Sequence, residues 1–455
     1  MISKLQINNY KSLHELELDV GRFNVLIGEN GCGKSNVLEA IALAAAAAAD
    51  KLDNEFLVSR GIRVTEPQLM RAAFSFNSML EPIKINLGFE NLVDFQKYIL
   101  HNDNQPYSKW SNQSALNAIQ IELMIDILNR IKNESTTFRH IELLPLSSQR
   151  ALIILVTAQT EVINFIINLS SPFTHYELQQ AAKYLNIFSG KDLANLDEHL
   201  IRKLPIYEEE TPESISQFEI NEENTKKILE AHNFRTRFKE FTIFSAENSA
   251  LRNFSKEGQI EPLGINGEGL LKLLKVIQSK SPEQLEEIVT CLELFDWFDG
   301  LHIPKDFSSY EDKVTIADRF LSTAFDQRSA NEGFLFVLFY IALMVSDDTP
   351  KIFAIDNIDV ALNPKLCTKL IKELVRLAKK YDKQVFVTTH NPAILDGIDL
   401  GDDEQRLLVG SRNKQGHTRF KRIELKDKPR SSTNEELRLS EAFLRGYLGG
   451  LPKGF

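Results

Sequence analysis

Gly28-Glu29-Asn30-Gly31-Cys32-Gly33-Lys34-Ser35 is the stretch from which the fold can be read. It has the form GxxxxGKS, follows the apolar run Phe23-Asn24-Val25-Leu26-Ile27, and opens onto Asn36-Val37-Leu38-Glu39-Ala40-Ile41-Ala42-Leu43, whose apolar residues recur at helical spacing. Strand, glycine turn and helix in that order make a phosphate-binding loop. Gly28, Gly31 and Gly33 let the backbone turn tightly and approach a polyphosphate, whose oxygens accept hydrogen bonds from successive N–H groups. Asn30, Cys32 and Asn36 belong to the same set of candidate nucleotide contacts. The helix begins at the loop, so its positive end points at the anion. Lys34 is placed to neutralise β- and γ-phosphates, and the Ser35 hydroxyl to ligate Mg²⁺.

The length of 455 residues suggests two or three compact units, and 43% hydrophobic with 25% charged residues is ordinary for a soluble globular chain. No apolar run is long enough to span a membrane, and Met1-Ile2-Ser3-Lys4-Leu5-Gln6-Ile7 enters an alternating strand directly, so neither a membrane segment nor a secretory signal is expected. Cys32, Cys291 and Cys367 are too scattered for a disulfide framework or a zinc site, which fits a cytoplasmic protein. The formal charge of −10 excludes a uniformly basic nucleic-acid coat.

Leu5 to Val20 alternates and breaks at Tyr10–His14, which predicts two antiparallel strands. The helix after the loop ends in an alanine run, Ala44 to Ala49, and further strands are expected at Ala72–Phe76 and Ile83–Phe89. Over 91–241 the character changes. Apolar residues at three- and four-residue spacing in Ile119–Ile131, Ala151–Leu169 and Leu178–Leu196 predict a mostly helical insertion or lid, and Glu208–Glu213 an exposed acidic loop. The sheet resumes at Phe241–Phe244, and Leu263–Leu270 is a glycine-rich turn opening a helix. The chain thus divides into an N-terminal lobe 1–90, an insertion 91–241, a C-terminal lobe 242–430 and a tail 431–455.

Lys351-Ile352-Phe353-Ala354-Ile355-Asp356 is an apolar strand ending in an acid, the place at which a phosphate-loop fold holds its Mg²⁺. One helix later, Gln384–Thr389 is a second buried strand, ending in His390, where a γ-phosphate sensor belongs.

Phosphate loop, strand with Asp356 and strand with His390 together resemble the ABC-type ATPase head, and more narrowly its SMC/RecF/OLD-like branch, found in DNA repair and in bacterial anti-phage defence. Asn9-Tyr10-Lys11-Ser12 is similar to that branch's opening element. Arg328-Ser329-Ala330-Asn331-Glu332-Gly333, followed by the helix Phe334–Val345, occupies the position of the signature loop. The resemblance covers roughly 1–90 and 242–425 and leaves the insertion unmatched. It implies a mixed α/β phosphate-loop head with an antiparallel N-terminal sheet, ATP and Mg²⁺ as ligands, and two heads closed around ATP. Ser329, Glu332 and Gly333 would then act in trans, Asp359, Leu362 and Asn363 would cross the dimer interface, and Tyr10 or Lys11 would contact the nucleotide. Gln68 is the candidate Q-loop residue.

One departure matters. The branch normally has Glu directly after the metal-associated Asp, whereas this chain has Asn357, and an amide cannot take a proton from the attacking water. Slow hydrolysis, substitution by Asp359, and positioning by His390 all remain open, with slow hydrolysis the favoured reading. Ser329 and Gly333 are also spaced more widely than in the usual signature.

Near the end, Arg419, Lys421 and Arg422 form a basic cluster that reads as a solvated strand face. Residues 427–434 have linker composition, and the apolar segment from Leu437 to Phe455 is expected to dock either on the protein's own head or, the favoured reading, on a partner. The favoured function is an ATP-dependent sensor or scaffold of an anti-phage system, forming a homodimer or higher oligomer and controlling a separately encoded effector such as a nuclease. The alternative is a DNA repair or maintenance ATPase that clamps DNA. A transporter ATPase fits the insertion and the N-terminal element poorly, and no membrane partner is expected.

Overall fold

The computed structural model describes residues 1–90, 96–104, 108–112, 138–147, 149–157, 162–168, 236–252, 263–304, 313–429 and 436–451, with single positions at 127, 178, 181–182, 185–186 and 234. The chain forms two units: Met1–Phe95, Leu100–Ser111 and Arg235–Phe455 make the first, Gln96–Ile99 and Asn112–Phe234 the second.

In the first unit, β1 (Ile2–Tyr10) and β2 (Leu13–Asp19) pair antiparallel, Ile7 opposite Leu16, with buried and exposed positions alternating as their sequence does. The far edge of β1 pairs with β4 (Ile83–Phe89). The second sheet is built around β3 (Phe23–Gly28), which lies parallel between β15 (Gln384–Thr389) and β16 (Gln405–Arg412). Outside β15 come β14 (Ile352–Ile355) and β10 (Ile243–Phe244), and outside β16 the antiparallel β17 (Thr418–Ile423). The inner parallel strands β3, β14 and β15 are buried at every position because both their faces are covered.

One face carries the helix Glu332–Val345, buried from Gly333 onward because it is apolar all round, and the amphipathic helix Pro364–Lys380, whose Asn363 caps it by accepting from Leu366 N–H at 2.9 Å. The other face carries the helix Lys34–Ala48, which touches β1 and β4 as well as β3 and β15. Its alanine run is buried, small side chains letting it pack closely between two sheets. A three-stranded antiparallel sheet of β11 (Phe298–His302), β12 (Thr315–Asp318) and β13 (Phe325–Asp326) leads into the signature loop.

The strands β5 (Gln96–His101) and β6 (Ser111–Asn112) stand where the chain passes between the units. The second unit contains β7 (Phe138–Pro145), β8 (Arg150–Thr157) and β9 (Val162–Asn168), an antiparallel meander. This corrects the helical reading of Ala151–Leu169. Ala151, Ile153, Leu155 and Thr157 are buried and their neighbours are not, a period of two that β-branched residues fill well. Asn186 completes an edge by bonding both the N–H and the carbonyl of Ile141 at 2.8 Å. Most of Ile119–Ile131 and Leu178–Leu196, all of Glu208–Glu213, and 430–435 of the linker lie outside the described residues.

Two further expectations change. Ala72–Phe76 is a series of turns instead of a strand, because Asn9 Oδ1 accepts from the Ala72 N–H at 3.1 Å and the Ser78 hydroxyl donates to the Ala72 carbonyl. The tail docks on its own head. Leu439, Ala442, Phe443 and Leu448 join the main core, and Ser440 donates to Asp396 through N–H (2.9 Å) and Oγ (2.7 Å). Leu444 and Tyr447 remain exposed.

Candidate functional site

The phosphate loop leaves the sheet at Gly28. At Gly33 the backbone has φ 102°, and a Cβ would lie 2.4 Å from Thr418 Oγ1 and 2.8 Å from Ser12 Oγ, so only glycine fits. Thr418 Oγ1 donates to the Cys32 carbonyl (2.8 Å) and shares a hydrogen bond with Ser12 Oγ (2.7 Å), to which Asn36 Nδ2 also donates (2.8 Å). Arg412 Nε donates to the Gly31 carbonyl at 2.8 Å. Side chains from β16–β17 thus hold the loop's carbonyls, and Ser12 between β1 and β2 braces Thr418. The first N–H groups of the helix, which have no intrahelical partner, are left for an anion.

Lys34 is 6% exposed and folds back to donate to the carbonyls of Gly28 (3.0 Å) and Glu29 (3.1 Å). Burial pushes its ammonium below the ordinary lysine range, and the nearby Asp356 and Asp359 oppose that shift. A buried ammonium whose oxygen partners are both carbonyls fits a polyanionic ligand.

Ser35 Oγ lies 3.1 Å from both carboxylate oxygens of Asp356, and Thr388 Oγ1 donates to the same carboxylate from the neighbouring strand. A hydroxyl and a carboxylate facing one another are the hard oxygen donors that Mg²⁺ takes, so the residues fit that ion. Ser35 and Asp356 would hold it, and it would supply positive charge to a bound polyphosphate.

Asn357 follows at φ 55°, with its N–H bonded to Thr388 Oγ1 at 2.8 Å. Asn enters the left-handed region more readily than Glu, so the amide has a local backbone reason as well as a chemical consequence. Asp359 Oδ1 accepts from Thr389 Oγ1 (2.6 Å) and from the His390 N–H (3.3 Å), tying the turn to the end of β15. Partial burial and then Lys34 push the His390 imidazole below its usual range, with Asp359 and Asp356 opposing.

The structure therefore gathers Gly28 to Asn36, Asp356, Asn357, Asp359 and His390 at the carboxyl ends of adjacent parallel strands. Lys11 has another partner. Its ammonium pairs with the buried carboxylate of Glu39, which also accepts from Tyr10 OH (3.1 Å) and Arg63 Nε (2.6 Å). The element Asn9–Ser12 thereby braces the phosphate-loop helix. Gln68 is exposed and donates to Glu66 at 2.9 Å.

The signature loop is held separately. Ser329 is exposed, and its N–H lies 3.2 Å from Asp326 Oδ1. Asn331 precedes the first turn of the helix without a side-chain cap, Glu332 opens that helix, and a Cβ on Gly333 would lie 2.8 Å from the Ala361 carbonyl. Among the described residues no bond links Ser329 or Glu332 to the phosphate loop. Arg252, which the sequence does not single out, grips the loop: its guanidinium donates to the carbonyls of Gln327 (3.4 Å), Arg328 and Ala330 (2.7 Å). Thr388 is the other unforeseen residue, and its signal was present in the Thr-Thr-His end of its strand.

Among the described residues, one other group has metal-ligand proximity: Glu287, Cys291 and Glu373. Arg376 and Lys380 already pair with its carboxylates, and burial with Glu373 pushes the Cys291 thiol up to about 12, so it is an ion-pair network. The basic cluster is engaged too: Arg419 donates to the Glu15 carbonyl, Lys421 pairs with Asp427 at 3.1 Å, and Arg422 approaches Glu424 at 4.0 Å. No helix among the described residues is long and apolar enough to cross a membrane.

Comparison with known proteins bears on this geometry. The family model described as "AAA ATPase domain" matches residues 1–265, and one described as "AAA domain, putative AbiEii toxin, Type IV TA system" matches 254–396. Similar solved structures include the Smc head bound to the C-winged-helix domain of ScpA (TM-score 0.43, 12% identity, 93% of this chain and 98% of that one). The SMC head domain from Thermotoga maritima has TM-score 0.39 at 12% identity over 93% and 99% of the two chains. Among curated proteins, the heat-inducible transcription repressor HrcA of Methylococcus capsulatus is 43% identical over 82 residues, 18% of this chain and 23% of the repressor. HrcA of Xanthomonas campestris is 34% identical over 87 residues, 19% and 25% of the two chains. The chain thus spans about a quarter or less of those repressors.

Proposed function

Because the chain belongs to the AAA ATPase domain family, we propose that it binds ATP with Mg²⁺, closes two heads around the nucleotide and turns it over slowly. The nucleotide-held dimer then keeps a separately encoded effector protein in check. In this reading Lys34 neutralises the β- and γ-phosphates, while Ser35 and Asp356 hold the metal with Thr388 orienting Asp356. Asp359 fixes the turn through Thr389, and His390 orients water at the γ-phosphate. Ser329, Glu332 and Gly333 serve the partner head's nucleotide.

The observation that carries the proposal is Asn357. It stands directly after Asp356, in a left-handed conformation with its N–H fixed, where an amide supplies no general base. The exposed signature loop, unconnected to the phosphate loop of its own chain, supports action in trans. Control of an effector is carried over from the resemblance of the sequence to the SMC/RecF/OLD-like branch, while the second matching family is described as an AAA domain, putative toxin of a type IV toxin–antitoxin system. The DNA-clamp reading is less favoured, because Arg419, Lys421 and Arg422 are occupied within the chain.

Mass photometry tests dimer closure. A species of doubled mass with ATP and Mg²⁺, absent without nucleotide and in Lys34→Ala, is expected. A mass that ignores ATP in the wild type would contradict the proposal.

A further inference from the structure

We propose that a groove beside the C-terminal helix is a docking surface for an acidic, leucine-bearing peptide segment of a partner protein. The groove encloses about 880 Å³ between the first turns of Pro364–Lys380, the 3₁₀ segment Pro392–Gly397 and the helix Leu439–Leu444. Lys365, Lys369 and Lys372 line it from one helix, with Arg438 and Lys428 elsewhere on its wall.

Lys428 is paired with Glu436 at 2.6 Å, and the groove's acid, Asp396, is taken by Ser440. Among the described residues, Lys365, Lys369, Lys372 and Arg438 make no ion pair. Lysines four and three residues apart on one helix repel one another, so the fold gains nothing from gathering them. A partner bearing carboxylates does. The chain's formal charge is −10, which makes this concavity a local reversal of its field.

The lining also decides between partner classes. Leu439 and Ile398 contribute to it, and Leu444 is 64% exposed at its rim. A phosphate backbone makes no use of an exposed leucine, whereas a peptide alternating acidic and apolar residues satisfies both kinds of wall. The groove also adjoins the nucleotide site. Asn391, which lines it, follows His390, receives the Ala393 N–H at 3.0 Å and gives its own N–H to Thr389 Oγ1 at 3.0 Å.

The test is fluorescence anisotropy of a labelled peptide of repeated Asp-Glu-Leu against the full chain without nucleotide, so its result is independent of the ATP reading. Saturable binding is expected, weakened about tenfold in Lys365→Glu/Lys369→Glu, where opposing charges now meet. A smaller loss is expected in Lys365→Gln/Lys369→Gln, in Leu444→Ser and at raised salt. No saturable binding up to millimolar protein, or binding unchanged in the charge-reversed variant, would overturn the proposal. So would a short oligothymidine that binds as tightly and ignores Leu444→Ser, which would mark a nucleic-acid surface.

Discussion

The phosphate-loop half and the signature-loop half of this head are built to different standards. Around the phosphate loop, side chains from β1–β2, β14, β15 and β17 converge on a few buried atoms, and Gly33, Ser35, Asp356 and Thr388 leave little room to move. The signature loop exposes Ser329, has no side-chain cap, and is held by Arg252 and Asp326. A half that works within its own chain can be finished by that chain. In the proposed reading the other half serves a second copy, so it faces outward and its last contacts come from elsewhere.

The strongest way to break this contrast is at Lys34. Lys34→Ala removes the cation that a polyphosphate requires and is expected to weaken ATP binding by about two orders of magnitude or more in calorimetry. Gly33→Ala comes next. Its Cβ meets Thr418 and Ser12 in a backbone conformation that L-residues avoid, so a loss of about 3 kcal/mol of stability is expected in denaturant unfolding.

Arg252→Ala attacks the other half. It releases the Gln327, Arg328 and Ala330 carbonyls, a loss of about 2 kcal/mol for charge-assisted bonds, read as faster hydrogen exchange at 327–331. ATP affinity of the single chain should stay unchanged while the ATP-dependent dimer weakens. If both fall together, the two halves are not separable.

A further effect lies outside the site and serves as its control. Lys383 is fully buried, donates to the Ser346 and Thr349 carbonyls at 2.8 and 3.0 Å, and is pushed down to about 7 by burial. Its folded pKa is below the unfolded value near 10.5, so the unfolded chain binds more protons between these limits. Stability should rise from pH 7 towards 10 and stay flat with respect to this group below 7. Lys383→Met should remove that slope in thermal melts without changing ATP binding.

What the sequence discloses follows the same division. The phosphate loop, Asp356 and His390 were legible because their chemistry demands particular residue types at the ends of apolar strands. Arg252 was not, since a guanidinium that grips carbonyls some 75 residues away leaves no local pattern. The pairing of Lys11 with the buried Glu39 was not legible either, since folding alone joins the two. Leu152–Val156 is apolar throughout, so either period fits it until the pairing with β7 and β9 decides. The tail's apolar residues were visible, but that Phe443 and Leu448 spend themselves on their own core was not.

Steady-state phosphate release by the purified wild type beside Asn357→Glu tests the central claim most directly. Turnover near background in the wild type, rising at least about tenfold once a carboxylate is restored after Asp356, is the expected result. Brisk turnover in the wild type that Asn357→Glu leaves unchanged would contradict it, and would move the general base to Asp359 or His390.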